Sequence, residues 1–479
     1  MEESKHLLSI GKTYEALERL KKILPEYENS EEEWKIHEMI GAAFHDIGDA
    51  EGAAQAYFNA VKSDKYLRTQ RTHYSNYLFA LHYLEKIDNE TLANEHFVYQ
   101  KLYQEQKKIK LAERTSKKII VGYIAQNFLE SSSARFYEAL LTEYNEEEFI
   151  VKCFSISSES DKLTEKIKMN VHDFIVLEDL TIEEAAQKIS EEEIDILFDL
   201  NGHSEGGMTL QIMSYKPAKI QICGIGWFDT TGMKEIDYIL TDNYLAPIGQ
   251  EKYFSEKLVR MSGLFAFNPT IEMKKTSKKA VEHDKIVFGS LNNFMKITDE
   301  YLKCVKKILQ NIENAKFIMQ DTTKMLSRKI EMENRLKKLK MPLEKIEIRL
   351  GNDDYLNDYA GIDIILDTFP YNGCAMTATA LYLGVPVVSL YGTRHSSRFG
   401  SDILRLAGIS ELIAQSTKNY VEIAIDLAND KYLLQEIKKN LIKTIQNSRL
   451  CDTKYFVREM EYHYKQISRL KSIYRFNNE

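Results

Sequence analysis

Short apolar runs alternate with amphipathic segments over most of the chain from residue 117 onward. Almost wholly apolar runs such as Ile362–Leu366 are typical of strands in a parallel sheet that is covered on both faces. The segments between them, for example 181–191 and 207–215, have helical spacing. The pattern predicts strands at 118–125, 149–156, 172–177, 194–200, 219–225, 236–241, 256–261, 286–291, 315–320, 346–350, 362–367 and 385–390, and closing helices from about 417 to 475.

Residues 1 to about 112 have helical periodicity and no convincing strand. A glycine turn followed by a similar helical pattern occurs at Gly11 and again at Gly48. This spacing resembles a helix-turn-helix repeat of about 34 residues, and about two repeats fit, fewer than the ~3 that an independent solenoid needs. We therefore expect the helical block to pack on the domain that follows it. Both a peptide-binding groove and a simple helical cap are compatible with the pattern.

Three domains follow from these patterns: a helical repeat domain at 1–115 and two successive doubly wound α/β units at 116–280 and 281–479. A cleft between two such units would suit a nucleotide and a second substrate.

The composition is that of an ordinary globular protein, with 44% hydrophobic and 28% charged residues among 479. The net charge of −8 argues against a nucleic-acid-binding surface. No apolar stretch approaches the ~20 residues of a membrane span, and the first residues lack a signal-peptide pattern. The five cysteines are scattered, which favours reduced thiols and neither a metal site nor disulfides. We expect a cytoplasmic protein without a metal or cofactor.

One break between two buried strands is a candidate phosphate site. The strand around Ile362–Leu366 ends at the turn Phe369–Gly373, and small residues from Cys374 to Thr379 then open a helix. A glycine and small side chains let backbone amides approach a phosphate, and the helix dipole favours its charge. A tight strand-to-helix turn without a ligand would have the same spacing, and the segment matches no standard phosphate-binding fingerprint.

Three other groups of residues could take part in chemistry. His203 follows an apolar strand and could move a proton near neutral pH, or it could simply cap a helix or bond a backbone carbonyl. Lys296 follows the strand at 286–291 and could stabilise a leaving diphosphate, although most lysines are merely solvated. Trp227 and Thr230 lie in the loop GWFDTTG, which could position a sugar or pack a domain interface.

Taken together, four ordered motifs resemble one known family. The segments are DILFDLNGHSEGG, YKPAKIQICGIGWFDTTGMKEIDYILTD, VFGSLNNFMKIT and LDTFPYNG…ALYLGVPVVSLYGTRHSSRFG. They resemble the O-GlcNAc transferase and SPINDLY family of glycosyltransferases, in its bacterial tetratricopeptide-containing branch. The resemblance runs from about Tyr74 to the C-terminus. It implies an α/β GT-B fold, two Rossmann-like domains facing a cleft, preceded by an all-α TPR-like domain. It also implies a nucleotide-sugar co-substrate, a UDP-sugar first, and no metal.

The resemblance also implies roles for single residues. The family's essential lysine falls on Lys296, and a His of the SPINDLY-like branch falls on His203. Acceptor contacts are expected at Trp227 and Thr230. The chain departs from the family pattern where it has Ser131 in place of a proposed catalytic His and Gln320 in place of a frequent Lys. The donor-binding positions, besides Lys296, are Asn293, Asn352, Tyr355, Gly373, Cys374, Ala375, Met376, Thr377 and Thr379.

The leading hypothesis is an inverting, metal-independent transfer of a sugar, GlcNAc first, to Ser or Thr of an acceptor protein. A glucosyl- or fucosyltransferase acting on Asn or Ser/Thr is an alternative. A second alternative is a non-catalytic, glycosyltransferase-like scaffold that binds an acceptor protein. A third is a transferase for small-molecule or cell-surface glycans. The expected partners are an acceptor protein or peptide and a nucleotide sugar, and an oligomer is possible.

Overall fold

The computed structural model describes residues 1–104, 106–275 and 285–476. The domain boundary predicted between residues 280 and 281 lies outside the described residues. Across the described ranges, no helix is both long enough and apolar enough to cross a bilayer.

The α-helices are numbered in chain order. They are α1 Glu2–Ser9, α2 Thr13–Tyr27, α3 Glu33–Ile47, α4 Ala50–Ser63, α5 Leu67–Leu81, α6 Asn89–Tyr99, α7 Ala134–Thr142, α8 Lys162–Asn170, α9 Ile182–Glu191, α10 Met208–Met213, α11 Ile271–Lys275, α12 Asp299–Asn311, α13 Leu326–Lys338, α14 Tyr355–Asp358, α15 Ala375–Tyr382, α16 Phe399–Ala407, α17 Thr417–Asn429, α18 Lys431–Gln446 and α19 Thr453–Phe476.

The strands are numbered in the same way. They are β1 Ile119–Ala125, β2 Phe149–Ser155, β3 Asp173–Val176, β4 Ile196–Asp199, β5 Ile220–Cys223, β6 Tyr238–Asp242, β7 Lys257–Met261, β8 Ile286–Leu291, β9 Ala315–Gln320, β10 Ile346–Arg349, β11 Ile364–Leu366, β12 Val387–Leu390 and β13 Ile413–Ala414. Every predicted strand is present, and β13 was missed because two residues do not form a recognisable apolar run.

The chain forms two compact units. The first contains residues 1–88 and the described part of 269–450, and the second contains residues 89–268 and the C-terminal segment from Cys451. Helices α1–α5 therefore lie in the same unit as strands β8–β13. The expectation that the helical block packs on the domain that follows it is confirmed for α6, which lies in that domain's unit, whereas α1–α5 lie in the unit of the other sheet.

The second unit is built on a seven-stranded parallel sheet in the order β3-β2-β1-β4-β5-β6-β7. The chain starts in the middle, moves to one edge and then returns to build the other half, as in doubly wound folds. Strand β4 is buried along its whole length. The C-terminal helix α19 returns to this unit, where the hydroxyls of Tyr464 and Tyr123 lie 2.9 Å apart.

The first unit combines helical hairpins with a six-stranded parallel sheet in the order β10-β9-β8-β11-β12-β13. The predicted glycine turns are confirmed, because Gly48 ends α3 in the left-handed conformation and Asp49 caps α4 by accepting a hydrogen bond from the Gly52 amide. Helix α3 packs on α13. The Tyr14 hydroxyl donates a 2.7 Å hydrogen bond to Glu331 of α13. The helical block is thus held against α13, a helix of the same unit as the six-stranded sheet.

Candidate active site

The turn from β11 to α15, residues 367–374, is held by its own hydrogen bonds. The buried Asp367 carboxylate accepts one bond from the Gly373 amide at 2.7 Å and another from the Ser389 hydroxyl at 2.6 Å. The Asn372 side chain donates to the Thr368 carbonyl at 2.8 Å. Burial raises the pKa of the Asp367 carboxyl to about 6, while its hydrogen bonds and the Lys296 charge oppose the rise. We call this segment the diphosphate turn, after the ligand that the resemblance predicts at the start of the helix that follows.

Gly373 is required by space at this turn. A Cβ there would lie 2.6 Å from the Thr377 hydroxyl and 2.9 Å from both the Asn292 amide nitrogen and the Asp367 carboxylate. Distances this short force neighbouring atoms to move. The glycine therefore allows the chain to fold tightly over the strand end.

Helix α15 begins at Ala375 with Cys374 at its N-cap position, as the small-residue pattern predicts. Among the described residues, no side chain caps this helix end. The first amides of a helix lack an intrahelical partner, so those of Ala375, Met376 and Thr377 are available to a ligand. A helix start of this kind can bind an anion with its amides and its dipole, and the donor-binding roles of these residues stay predictions from the resemblance. The side chains of Thr377 and Thr379 are themselves buried.

Lys296 lies directly on this turn. It ends a short 3₁₀-helix, Phe294–Lys296, that follows β8. Its amine donates a 2.9 Å hydrogen bond to the Asn372 carbonyl and lies 3.9 Å from the centre of the Tyr371 ring. Burial lowers the pKa of the amine to about 8, although Cys374 and Asp367 raise it. The structure thus brings together the predicted lysine and the predicted phosphate turn.

The side chain of Asn293 is held by hydrogen bonds to other residues of the first unit. Its side-chain oxygen caps the 3₁₀-helix by accepting from the Met295 amide at 2.9 Å, and it accepts from the Arg328 guanidinium at 2.7 Å. Arg328 also contacts Asp321 at 3.4 Å and donates to the His45 carbonyl at 3.2 Å. Sequence reasoning missed Arg328, because one buried arginine in the charged helix α13 has no distinguishing local pattern.

Two predicted donor-binding residues, Asn352 and Tyr355, follow β10, and Gln320, where the family has a frequent Lys, ends the neighbouring strand β9. Asn352 and Gln320 both donate 2.7 Å hydrogen bonds to the Asp358 carboxylate. Asn352 is exposed, whereas Gln320 is buried. Tyr355, which begins α14, is 36% exposed. The donor-binding roles of Asn352 and Tyr355 stay predictions from the resemblance.

His203 has the geometry of a structural histidine. Its ring is fully buried in the second unit, and its Nε2 lies 2.9 Å from the Thr231 carbonyl, to which it donates. The rings of Tyr99 and Trp227 pack on it at 4.7 and 5.1 Å. Burial lowers the pKa of the imidazole well below its usual value, and the neighbouring His96 lowers it further. The sequence left open whether His203 moves a proton or bonds a backbone carbonyl, and this arrangement matches the bond to a carbonyl.

The two predicted acceptor residues are buried in their own loop. The Trp227 indole donates to the Thr230 carbonyl at 3.2 Å, and the Thr230 hydroxyl donates to Glu256 at 2.7 Å. Burial raises the pKa of the Glu256 carboxyl. Gly226 lies so close to Leu200 that a Cβ would be 1.7 Å from the Leu200 carbonyl oxygen. These side chains shape the loop, and acceptor contact by either of them stays a prediction.

The sequence model of glycosyl transferase family 41 matches residues 83–347 and 268–460, which together contain Lys296, the diphosphate turn and both parallel sheets. The chain belongs to glycosyl transferase family 41. The predicted membership of the O-GlcNAc transferase and SPINDLY family is thereby confirmed, and so is the GT-B fold with a helical N-terminal region.

Relatives in plants carry the name "probable UDP-N-acetylglucosamine–peptide N-acetylglucosaminyltransferase SPINDLY". The protein from Oryza sativa subsp. japonica is 30% identical over 434 residues, which cover 87% of this chain and 46% of that protein. The protein from Petunia hybrida is 28% identical over 411 residues, 82% of this chain and 44% of its own length. The chain therefore spans less than half the length of these relatives.

Among solved structures, a variant of Thermobaculum terrenum O-GlcNAc transferase is similar with a TM-score of 0.86 and 25% identity. The match covers 96% of this chain and 88% of the other. A glycosyltransferase from Rickettsia africae matches 74% of this chain and 99% of its own, with a TM-score of 0.50 and 14% identity. This second likeness shows the fold alone.

Proposed function

We propose that this family-41 chain transfers a sugar, GlcNAc in the first place, from a UDP-sugar to Ser or Thr of an acceptor protein. The observation that supports this proposal is the Lys296 amine held over the diphosphate turn. The names of the plant relatives supply the donor and acceptor class.

The donor diphosphate would lie at the start of α15, where the amides of Ala375, Met376 and Thr377 belong to the first turn and have no intrahelical partner. Charge builds up on the diphosphate as the bond from its oxygen to the anomeric carbon breaks. A cation and oriented amides that are already in place stabilise that charge without reorganising. Lys296, with a pKa of about 8, is largely protonated near pH 7.

The acceptor hydroxyl attacks the anomeric carbon from the face opposite the diphosphate, which inverts the configuration. The new carbon–oxygen bond forms as the old one breaks, the nucleoside diphosphate leaves, and the hydroxyl proton passes to solvent or to the released nucleotide. His203 would act on this step through the loop that it holds, because its buried ring is neutral and donates to Thr231.

The first test is calorimetric titration of UDP, and separately of GDP, into the wild type and the Lys296→Ala variant. We expect UDP to bind and the substitution to weaken binding about tenfold or more, since losing one charge-assisted contact costs about 1.5–3 kcal/mol. Lys303→Ala is the matched control, because Lys303 is an exposed lysine on α12 of the same unit.

Turnover is then measured with UDP-GlcNAc, UDP-glucose and GDP-fucose against a peptide library that carries Ser, Thr or Asn. Mass spectrometry identifies the sugar and the modified residue. Binding of UDP with GlcNAc transfer to Ser or Thr supports the proposal. Absence of binding by both nucleotides would overturn it and would favour the scaffold hypothesis.

A further inference from the structure

A buried tyrosine, Tyr371, lies next to the Lys296 amine, and a second buried tyrosine, Tyr83, packs on Tyr371. The Nζ of Lys296 is 3.9 Å from the centre of the Tyr371 ring, and Tyr371 is only 8% exposed. The ring of Tyr83 packs on Tyr371 with the centres 5.4 Å apart and the planes inclined by 32°. Tyr83 is 6% exposed and follows helix α5 of the helical block.

We propose that Tyr371 is a positioning residue that holds the Lys296 ammonium over the diphosphate turn by a cation–π contact, and that Tyr83 supports the ring from the helical block. The proposal rests on the function proposed above, for which Lys296 supplies the positive charge. It gives Tyr371, a residue of the diphosphate turn, and Tyr83, from the helical block, roles that the family names do not assign.

An aromatic ring is a suitable partner for this amine. The face of the ring attracts a cation through its quadrupole, and the attraction grows when the pair is removed from water. The face of the ring, over which the amine lies, has no oxygen that would compete with a diphosphate for the ammonium N–H groups. One of the three N–H donors is used by the Asn372 carbonyl. The contact therefore fixes the cation while it leaves donors for the ligand.

Besides Tyr371 itself, the titratable groups that act on Lys296 are Asp367 and Cys374, both from the diphosphate turn. Both oxygens of the Asp367 carboxylate already accept hydrogen bonds, one from Gly373 and the other from Ser389. Burial raises the pKa of the Cys374 thiol, which keeps it neutral. Asp367 attracts the charged amine as well. Substitutions of Tyr371 keep Asp367 and Cys374 in place, so they measure what the ring itself contributes.

The segment after α5 is fixed to the same unit by a second contact. The buried Arg394 guanidinium donates a 3.0 Å hydrogen bond to the carbonyl of Leu84, the residue after Tyr83. Tyr371 also has Phe399 packed edge-on at 6.3 Å. Tyr83 is therefore held in place on Tyr371. The helical block, through this residue, contributes to the surroundings of Lys296.

The test measures the titration of Lys296 itself. Trace acetylation with acetic anhydride over a pH series, read by mass spectrometry, gives the midpoint at which the amine becomes reactive. It is carried out on the full chain without nucleotide, so it is independent of turnover. The variants are Tyr371→Phe, Tyr371→Leu and Tyr83→Leu. Tyr432→Leu is the control, because Tyr432 on α18 is 77% exposed.

Loss of the ring removes an attraction for the charged form, so the midpoint must fall. We expect a fall of about 0.5–1.5 pH units in Tyr371→Leu, a smaller fall in Tyr83→Leu and no change in Tyr371→Phe or the control. Fluorinated phenylalanines at position 371 keep the shape of the ring while they weaken its quadrupole. We expect them to lower the midpoint step by step, even where Tyr371→Leu does not fold.

Equal midpoints across the fluorinated series, or in Tyr371→Leu and Tyr371→Phe, would overturn the proposal. The expected midpoint shifts in the variants, together with a wild type that transfers no sugar, would remove the proposed function and leave the cation–π contact standing. In an active protein, the alkaline limit of turnover should move to lower pH in Tyr371→Leu. A purely structural tyrosine would not move that limit.

Discussion

The side-chain amine of Lys296 lies 2.9 Å from the main-chain oxygen of Asn372, 76 positions later in the chain. One residue follows β8 and the other belongs to the turn after β11, and these two strands are hydrogen-bonded neighbours. Parallel strands present their carboxyl ends at the same edge of the sheet, so the lysine and the start of α15 meet there.

Nucleotide binding should weaken as the pH rises through 8. The pKa of Lys296 is lowered to about 8 by burial, so its charge is present below that pH and is lost above it. Calorimetry with UDP at pH 7 and pH 9.5 should show a loss of affinity of about tenfold, the effect of one pKa unit of interaction. Lys296→Ala controls for ionisation of the nucleotide, and an equal pH dependence in that variant would contradict this explanation.

Gly373→Ala should distort the diphosphate turn. The new methyl group would meet Asp367, Asn292 and Thr377 within 3 Å. Overpacking of this kind costs about 1–3 kcal/mol, and it should also reduce nucleotide affinity, because the amides at the start of α15 move with the turn. Chemical denaturation and calorimetry measure the two effects.

Gly361→Ala is the control for that substitution. Gly361 lies in the same unit, and a Cβ there would have no atom within 4 Å among the described residues. We expect both its stability and its nucleotide affinity to be close to those of the wild type. If Gly373→Ala behaved in the same way, the turn would be more adaptable than its packing indicates.

Arg328→Met should destabilise the first unit strongly. The substitution leaves the buried Asp321 carboxylate without its cation and removes the hydrogen bonds to Asn293 and the His45 carbonyl. Breaking one side of a buried ion pair costs about 3–5 kcal/mol. Urea denaturation measures the loss.

The control is Lys324→Met, which breaks an exposed ion pair with Asp353 in the same unit. Exposed pairs contribute about 0–1 kcal/mol. Restoring charge balance with Asp321→Asn in the Arg328→Met background should recover part of the lost stability. No recovery would mean that the hydrogen bonds to Asn293 and His45 outweigh the ion pair.

His203→Ala should lower stability by about 2–4 kcal/mol, because it opens a cavity beside Tyr99 and Trp227 and leaves the Thr231 carbonyl without its donor. His172→Ala is the control, since the His172 side chain is 62% exposed. A general base would instead show a large loss of turnover with stability unchanged, and that result would restore the catalytic role of His203.

Much of the fold could be predicted from local pattern. The apolar runs located twelve strands, and Gly48 with Asp49 located a helical turn that the structure contains. The two-residue strand β13 carries too little pattern to be found. The grouping of α1–α5 with the second sheet is also absent from local pattern, because it depends on contacts such as Tyr14 with Glu331, far apart in sequence.

The sequence by itself determined the alternation of strands and helices, the small residues that open α15, and the motifs that resemble family 41. These are properties of neighbouring residues, set by side-chain size, polarity and backbone freedom. Only the tertiary structure decided that His203 is buried against Tyr99 and that Tyr83 reaches Tyr371 beside Lys296. Burial and contact between distant residues depend on how the elements pack, and that packing decides which polar groups stay available for chemistry.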